Sequence, residues 1–346
     1  MAHLQSTTIS GSNANTGSLQ VTGSTVIFPI IESSLTSSFS GSGKMWINAD
    51  TQNLQYSIES SLGTVNSPAR FLGAWSSGGT LNTGRAVAGG AGTQNAALST
   101  AGRSPSSVPN TEELTSCCST TLCSILPVWR GSASLITARR SLGGTGTQNA
   151  ALGFGGGTGN SAGSETEEFN GTSWTAGGAL IIARVNVAGA GTQNAGLAMG
   201  GAPNAAKTEE YDGSSWSEGG NAPATAQRGD GTGTQNAAVY AGGSPGTTNT
   251  EKYDGSSWST SGALIAGDLD QAVIGTQNAA LSFGGSPAYT GNEEYNGTSW
   301  ATGGSLTQGG TFQLMGLGTQ NSGLAVSGYK SGNQRRVEKY DGTAWS

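Results

Sequence analysis

The chain has 346 residues, among them 59 glycines, 15 basic and 21 acidic residues, and a formal net charge of −6. So few basic residues, without a large cluster, exclude a nucleic-acid surface, since phosphate binding requires grouped lysines and arginines. No apolar run reaches the roughly 18 to 20 residues of a membrane-spanning helix. The N-terminus lacks the basic region and apolar core of a secretory signal, so none is expected.

Residues 1–66 share no repeat with the rest of the chain. Gly17–Ile31 predicts two short strands around Gly23-Ser24. Lys44–Asn48 and Leu54–Ile58 alternate apolar and polar residues on either side of an Ala-Asp-Thr-Gln turn, which indicates a β-hairpin. We therefore expect a small β-rich domain at 1–66 and a second domain at 67–346.

The second domain is built from a repeat. The tetrapeptide Gly-Thr-Gln-Asn occurs six times, at intervals of 54, 45, 42, 42 and 43 residues, starting at Gly92, Gly146, Gly191, Gly233, Gly275 and Gly318. Tryptophans keep the same period, at Trp75, Trp129, Trp174, Trp216, Trp258, Trp300 and Trp345. Units of this length match a four-stranded propeller blade.

One unit shows how such a blade forms. Val185–Ala190 and Ala195–Met199 predict the first and second strands. The turn Gly-Thr-Gln-Asn joins them, and its Gly and Asn favour tight backbone geometry. Thr208–Tyr211 predicts the third strand, and an Asp-Gly hairpin turn leads to the fourth strand at Ser215-Trp216. A single short sheet cannot bury both faces, so the six units are expected to pack side by side in a ring.

The first unit carries an insertion that contains Cys117, Cys118 and Cys123. An odd number of closely grouped cysteines is not a disulfide framework. A metal site lacks a fourth ligand, because the only histidine is the distant His3. We expect a surface insertion with free or locally paired thiols, and no metal.

The segment Arg70–Ser77, around Trp75, has the pattern of a fourth strand that precedes the first unit. The sixth unit ends at Trp345 and Ser346, so its own fourth strand is short. We therefore expect the segment around Trp75 to complete or reinforce the last blade and close the ring.

Certain polar residues recur once in every unit. These are Gln and Asn of the repeated turn and a glutamate of the third strand, at Glu112, Glu167, Glu209, Glu251, Glu293 and Glu338. A residue used once per blade most simply meets a need that recurs once per blade. We predict that they bond unpaired backbone groups between adjacent blades, instead of forming a ligand ring.

The segments between the second and third strands differ among units, at 157–165, 202–207, 244–249, 286–292 and 328–336. Variable loops on a rigid scaffold are common binding surfaces. The side chains best suited to contact a partner or glycan are Asn160, Tyr289, Tyr329, Lys330 and Arg335.

The order of features resembles the kelch repeat, in which an apolar strand ends in Gly-Gly and a Tyr and a Trp flank a later turn. Examples are Gly200-Gly201 followed by Tyr211 and Trp216, with Arg184 ahead of the first strand. The resemblance covers residues 70–346 and implies an all-β fold, a six-bladed kelch-like β-propeller.

A second resemblance concerns short sequence segments. Gly-Ser-Leu-Gln-Val-Thr-Gly-Ser at 17–24 and the Thr-Gln-Asn-Ala-Ala-Leu of the repeats resemble bacteriophage tail-fibre and other virion proteins, including those of marine phages. This implies a homo-oligomeric virion protein without cofactor. Residues 1–66 would dock to other virion proteins, and the propeller would be displayed outward, either to bind a host-surface glycan or protein or to decorate the capsid or tail.

Two other functions stay open. One is a non-viral adhesin or protein-interaction scaffold. The other is a propeller glycosidase, since a carboxylate pair could lie among the 21 acidic residues. With His3 alone, no Ser-His-Asp or Cys-His set can be assembled, and kelch copper oxidases need histidine ligands. The sequence favours a protein that is not an enzyme.

Overall fold

A computed structural model describes residues 80–346 except 105, 116–127, 159–160, 205, 223–226, 288–289 and 308–311, together with the backbone of four earlier strands. The chain divides into two compact units, an N-terminal one and a larger one. The described residues form strands, turns and loops, with no helix among them.

The N-terminal unit contains one four-stranded sheet in the order β1-β2-β3-β4. The first two strands pair in parallel and the others are antiparallel. The predicted hairpin is confirmed, with Ile47 opposite Leu54. The strands are β1 (Ile30–Ile31), β2 (Met45–Asn48), β3 (Asn53–Ile58) and β4 (Ser61–Pro68).

The larger unit is a six-bladed β-propeller, as predicted, in which each blade is a small antiparallel sheet. Blade one holds β5 (Gly89–Thr93), β6 (Ala96–Thr100), β7 (Thr111–Thr115) and β8 (Val128–Ser132). Blade two holds β9 (Gly143–Thr147), β10 (Ala150–Phe154), β11 (Thr166–Phe169) and β12 (Trp174–Ala176). Blade three holds β13 (Ala188–Thr192), β14 (Ala195–Met199), β15 (Thr208–Tyr211) and β16 (Trp216–Glu218).

The remaining blades follow the same order from the axis outward. Blade four holds β17 (Asp230–Thr234), β18 (Ala237–Ala241), β19 (Thr250–Tyr253) and β20 (Trp258–Thr260). Blade five holds β21 (Ala272–Thr276), β22 (Ala279–Phe283), β23 (Asn292–Tyr295) and β24 (Trp300–Thr302). Blade six holds β25 (Met315–Thr319), β26 (Ser322–Val326) and β27 (Val337–Tyr340).

The first strand of blade three begins later than the sequence predicts. It runs from Ala188 to Thr192, whereas the prediction began at Val185. The reason is Asn186, whose φ of 53° is incompatible with an extended strand. At the other end, Gly191 has a φ of 98°, and a Cβ atom there would lie 2.1 Å from the carbonyl oxygen of Ala195. Glycine is therefore required at that hairpin.

The hydrophobic core lies between neighbouring blades. Phe154 of blade two packs with Tyr211 and Trp216 of blade three, all of them buried. The Phe154 and Trp216 ring centroids are 4.9 Å apart. The indole Nε1 of Trp216 donates to Thr166 Oγ1 of blade two at 2.9 Å. Each tryptophan thus joins its own blade to the preceding one.

The recurring glutamine and glutamate hold the blades together, which confirms the prediction for those two residues. Gln193 Nε2 donates to the carbonyl oxygens of Ala151 and Phe169 in the preceding blade, at 3.0 and 2.8 Å. Glu209 accepts bonds from the amides of Ile181 and Ile182, between blades two and three. The asparagine of the repeated turn is exposed instead.

Three of these glutamates also bind a buried arginine. The pairs are Arg85 with Glu112, Arg139 with Glu167, and Arg184 with Glu209. Burial lowers the pKa of each arginine, and the paired glutamate opposes that shift. The arginines that precede the first strands therefore stabilise the scaffold.

The ring closes between blades six and one. The Leu81 amide donates to Arg335 O at 3.0 Å, as the Leu180 amide donates to Ser164 O in the second blade. Trp345 pairs with Tyr340 and starts a fourth strand of blade six. Trp75 lies outside the described residues, so its closing role remains a prediction.

Candidate functional site

The two ends of the propeller channel are chemically different. At one end, which we call the turn face, lie the repeated Gly-Thr-Gln-Asn turns. At the other end, the loop face, each first strand begins beside the end of the second strand and the start of the third, as Gly89, Thr100 and Thr111 show. The variable loops therefore surround the loop-face mouth of the channel.

Six equivalent residues encircle that mouth, each two positions before a first strand. All have φ between 52° and 60°, the left-handed conformation that glycine favours, yet none is glycine. Their side chains differ in every blade, as do the residues directly before them. We call them the mouth ring: Val87, Ser141, Asn186, Arg228, Asp270 and Gln313.

Backbone hydrogen bonds explain the shared conformation. The amides of five of the six ring residues donate to the carbonyl oxygen of the counterpart in the preceding blade. This occurs for Ser141 to Val87 at 2.9 Å, Asn186 to Ser141 at 2.8 Å, Asp270 to Arg228 at 2.6 Å, Gln313 to Asp270 at 2.9 Å and Val87 to Gln313 at 3.1 Å. The left-handed turn aligns these groups around the axis, so the backbone is fixed while the side chains are free to differ.

The channel behind the mouth ring is narrow, with a cavity of about 250 Å³ lined by the first strands and by the ring itself. Glycine allows the strands to approach closely. A Cβ atom on Gly144 would lie 2.7 Å from the backbone nitrogen of Gly90 in the neighbouring blade. The mouth is thus the accessible part of a tight, largely backbone-lined passage.

The mouth ring is most polar over blades four to six. Arg228 Nε donates to Asp270 Oδ1 at 2.9 Å, and Arg228 Nη2 donates to Asp270 Oδ2. The Arg228 side chain is 38% exposed and that of Asp270 is 7% exposed. Gln313 Nε2 lies 3.5 Å from Asp270 Oδ2. The bond to Asp270 raises the pKa of the Arg228 guanidinium, and the geometry of the pair is preformed.

Asp230 lies deeper in the channel lining, two residues after Arg228. Its Oδ2 accepts a bond from the Val273 amide of blade five at 2.9 Å. Burial raises the pKa of its carboxyl to about 7, against the lowering effect of the Val273 and Gly231 amides. The other blades have glycine, alanine or methionine at this position.

An aromatic group flanks the polar side of the mouth ring. Phe312, next to Gln313, packs edge-on against Tyr329 with ring centroids 5.6 Å apart. The Arg103 guanidinium carbon lies 5.4 Å from the Tyr329 centroid. The four other blades have Gly157, Ala202, Ser244 and Ser286 at the position of Arg103 and Tyr329. Blades six and one therefore form a wall of larger side chains on the loop face.

Of the five residues predicted to bind a partner, Asn160 and Tyr289 lie outside the described residues. Tyr329 is half-buried in the wall, and Lys330 beside it is exposed. Arg335 is exposed, but its Nε donates to Leu81 O at 2.6 Å, so it also supports ring closure. The structure thus brings Tyr329 to the mouth, while Arg335 lies at the closing junction.

Sequence reasoning missed the mouth ring. The residues on either side of each ring position also vary among the units, so sequence variation does not single out the ring. The left-handed backbone that makes the position special is not visible in the sequence, since glycine is absent there.

The part of the chain that the structure describes contains no group of three or more His, Cys, Asp or Glu placed to hold a metal ion. No helix within it is long and apolar enough to cross a membrane. Cys117, Cys118 and Cys123 lie outside the described residues, so the expectation about their thiols stays a prediction.

Comparison with known proteins identifies the fold alone. No protein-family model matches the chain, and no curated protein matches it. A solved structure titled "Structure of YjhT" is similar, with a TM-score of 0.62 and 12% identity, over 75% of this chain and 95% of that one. Together with the six sheets, this likeness defines the chain as a six-bladed β-propeller protein.

Proposed function

We propose that this chain is a kelch-type propeller that binds a surface glycan through its loop face and is not an enzyme. The observation that carries the proposal is the mouth ring. Six equivalent backbone positions hold six different side chains, in a segment that varies among the units while the Gly-Thr-Gln-Asn turns, the third-strand glutamates and the tryptophans repeat. A strained conformation kept in every blade without glycine is typical of functional sites.

The rest of the propeller supports a binding role by contrast. The residues that recur in each unit are engaged in inter-blade bonds, as Gln193 and Glu209 are. Variation is concentrated at the mouth ring and in the surrounding loops. A rigid scaffold with variation confined to one face is the usual arrangement of a recognition surface.

The biological setting that we propose is a phage virion. Support comes from two short sequence segments that resemble virion proteins, one at 17–24 and the other in the repeats. Residues 1–66 would dock to the particle and the propeller would face outward. Incorporation of a chain that lacks 1–66 into virions, at the level of the full chain, would refute the docking role.

Binding is tested by applying the full chain to an array of neutral and acidic glycans. Concentration-dependent binding to a defined group of glycans is the expected result. Absence of binding to every glycan, at protein concentrations up to the millimolar range, would refute glycan recognition.

A second function, glycoside hydrolysis, is favoured by one observation. Asp230 has a carboxyl pKa of about 7 and lines the same channel as Arg228 and Asp270. Glycosidases use one protonated carboxyl group together with a second carboxylate. Release of reducing ends from a bound glycan, abolished by Asp230→Asn with unchanged binding, would establish hydrolysis. No release would leave binding as the function.

A further inference from the structure

We infer that the mouth ring over blades four to six binds an uncharged polyhydroxyl ring, such as a neutral hexose at the end of a glycan. The inference rests on the proposed function and specifies its ligand. It follows from three features of the site: a charge pair that is already neutralised, an unused donor and acceptor beside it, and an adjacent aromatic group.

The charge pair argues for an uncharged ligand. Arg228 binds both carboxylate oxygens of Asp270 through Nε and Nη2. A ligand anion near Arg228 would meet Asp270 within a few ångströms, and a ligand cation near Asp270 would meet Arg228. Opposite charges at such short range nearly cancel for a third charge beside them. The pair therefore offers hydrogen bonds but little net attraction for an ion.

The hydrogen-bonding groups that remain match hydroxyls. Gln313 Oε1 is buried and accepts no hydrogen bond among the described residues. A buried acceptor without a donor costs about 1 to 3 kcal/mol, which a ligand O–H would recover. On the other side of Asp270, Arg228 keeps Nη1 as a donor, on a side chain that is 38% exposed. A hydroxyl both donates and accepts, so adjacent hydroxyls can serve the two groups at once.

The surroundings fit one sugar ring. Phe312, the residue before Gln313, packs against Tyr329 outside the channel lining, and sugar rings expose apolar C–H groups on one side that such an aromatic pair can contact. Pockets that combine an aromatic wall with a few fixed polar groups are typical of small-molecule sites. The cavity of about 250 Å³ is smaller than the roughly 300 to 1,000 Å³ of sites for drug-sized ligands. It therefore suits a single terminal ring.

The opposite part of the mouth ring provides a matched control. Ser141 of blade two has the same left-handed backbone, with a φ of 58°, and the same type of inter-blade amide bond. It lies away from the Arg228–Asp270 pair in the order of blades. Ser141→Ala therefore perturbs the ring without touching the proposed ligand groups. Asp270→Asn keeps a residue that tolerates left-handed backbone.

The test uses the full chain and an array of neutral hexose, deoxyhexose and N-acetylhexosamine oligosaccharides beside sialylated, uronic-acid and sulfated ones. The most strongly bound oligosaccharide is then titrated calorimetrically against the wild type, Asp270→Asn, Gln313→Ala and Ser141→Ala, each first shown to be folded by thermal unfolding. We expect a neutral oligosaccharide, a Kd about tenfold weaker in Asp270→Asn and Gln313→Ala, and a change below about twofold in Ser141→Ala. Raising the salt from about 50 to about 500 mM should leave the Kd unchanged.

Three results would overturn the inference. Binding confined to acidic glycans, with salt sensitivity, would show that charge is recognised. An unchanged Kd in both Asp270→Asn and Gln313→Ala would place the ligand elsewhere on the propeller. Either result leaves glycan binding itself intact, whereas no binding to any oligosaccharide would refute the proposed function as well.

Discussion

The indole of Trp129 in blade one packs in the same cluster as Val337 of blade six, and its Nε1 donates to no acceptor among the described residues. Four other tryptophans meet a threonine at the position of Val337. These pairs are Trp174 with Thr111, Trp216 with Thr166, Trp258 with Thr208 and Trp300 with Thr250. The junction that closes the ring thus lacks a bond that four of the other five junctions have; the fifth, between blades five and six, also lacks it, because Trp345 Nε1 donates to no acceptor among the described residues.

Val337→Thr should add that bond. Valine and threonine have nearly the same shape, and the threonine Oγ1 would accept from Trp129 Nε1, as Thr166 does from Trp216 at 2.9 Å. Pairing a buried donor is worth about 1 kcal/mol. We expect the free energy of unfolding in urea to rise by that amount. A decrease would show that the indole is already satisfied.

The reciprocal change, Thr166→Val, serves as its control. It leaves Trp216 Nε1 buried without its acceptor, and valine already occupies the equivalent position in blade six. A loss of about 1 to 2 kcal/mol is expected. If both substitutions change the free energy of unfolding in the same direction, the tryptophan–threonine bonds do not determine the stability of the junctions.

Arg184→Met should be strongly destabilising. Arg184 is fully buried and binds Glu209 at 2.9 Å, and its Nη1 also donates to the carbonyl oxygens of Gly200 and Lys207. Removing one partner of a buried ion pair typically costs about 3 to 5 kcal/mol. The exposed Arg130 gives a matched control, since Arg130→Met should change unfolding by less than about 0.5 kcal/mol. Equal effects of the two substitutions would contradict a structural role for the repeated arginines.

Asp230 predicts a pH-dependent stability. Its carboxyl pKa is about 7 in the folded protein, against about 3.9 in an unfolded chain. Between these values the folded state binds more protons than the unfolded state, so the free energy of unfolding falls as the pH rises from about 4 to 7. The free energy of unfolding falls by at most about 4 kcal/mol in total. Above pH 8, Asp230 causes no further decrease.

Asp230→Asn should remove this dependence. The amide oxygen can still accept from Val273, and the side chain stays neutral at every pH. Thermal unfolding between pH 5 and pH 8 should therefore show a flatter profile and a higher Tm at pH 8 than in the wild type. Asp212→Asn is the control. Hydrogen bonds from the turn amides and serines hold the pKa of the Asp212 carboxyl at about 2. Asp212 therefore does not change its protonation between pH 5 and pH 8, and its replacement should leave the slope of the stability profile unchanged. Parallel profiles for the wild type and Asp230→Asn would contradict a buried, protonated Asp230.

Repetition explains how much of the fold was predictable. The spacing of Gly191 and its counterparts defined the blades, because a two-residue hairpin needs glycine at that point. The roles of Gln193 and Glu209 followed from their recurrence. Strand starts were less predictable, since residues such as Asn186 adopt a left-handed conformation that only the bonds between blades impose.

The candidate site was predictable in part. Tyr329 was found from loop variation, and the structure places it beside the mouth. Arg228, Asp270 and Gln313 were missed because they are distant in sequence and meet only when three blades converge on the axis. Their chemistry depends on that meeting, as the Arg228–Asp270 pair shows.

The most direct test of the account is a structure of the full chain bound to its best glycan. We predict density for one terminal sugar ring at the loop-face mouth, with hydroxyls in hydrogen-bond range of Gln313 and Arg228. A sugar bound on the turn face, or on the N-terminal sheet, would contradict the central claim that the mouth ring is the recognition site.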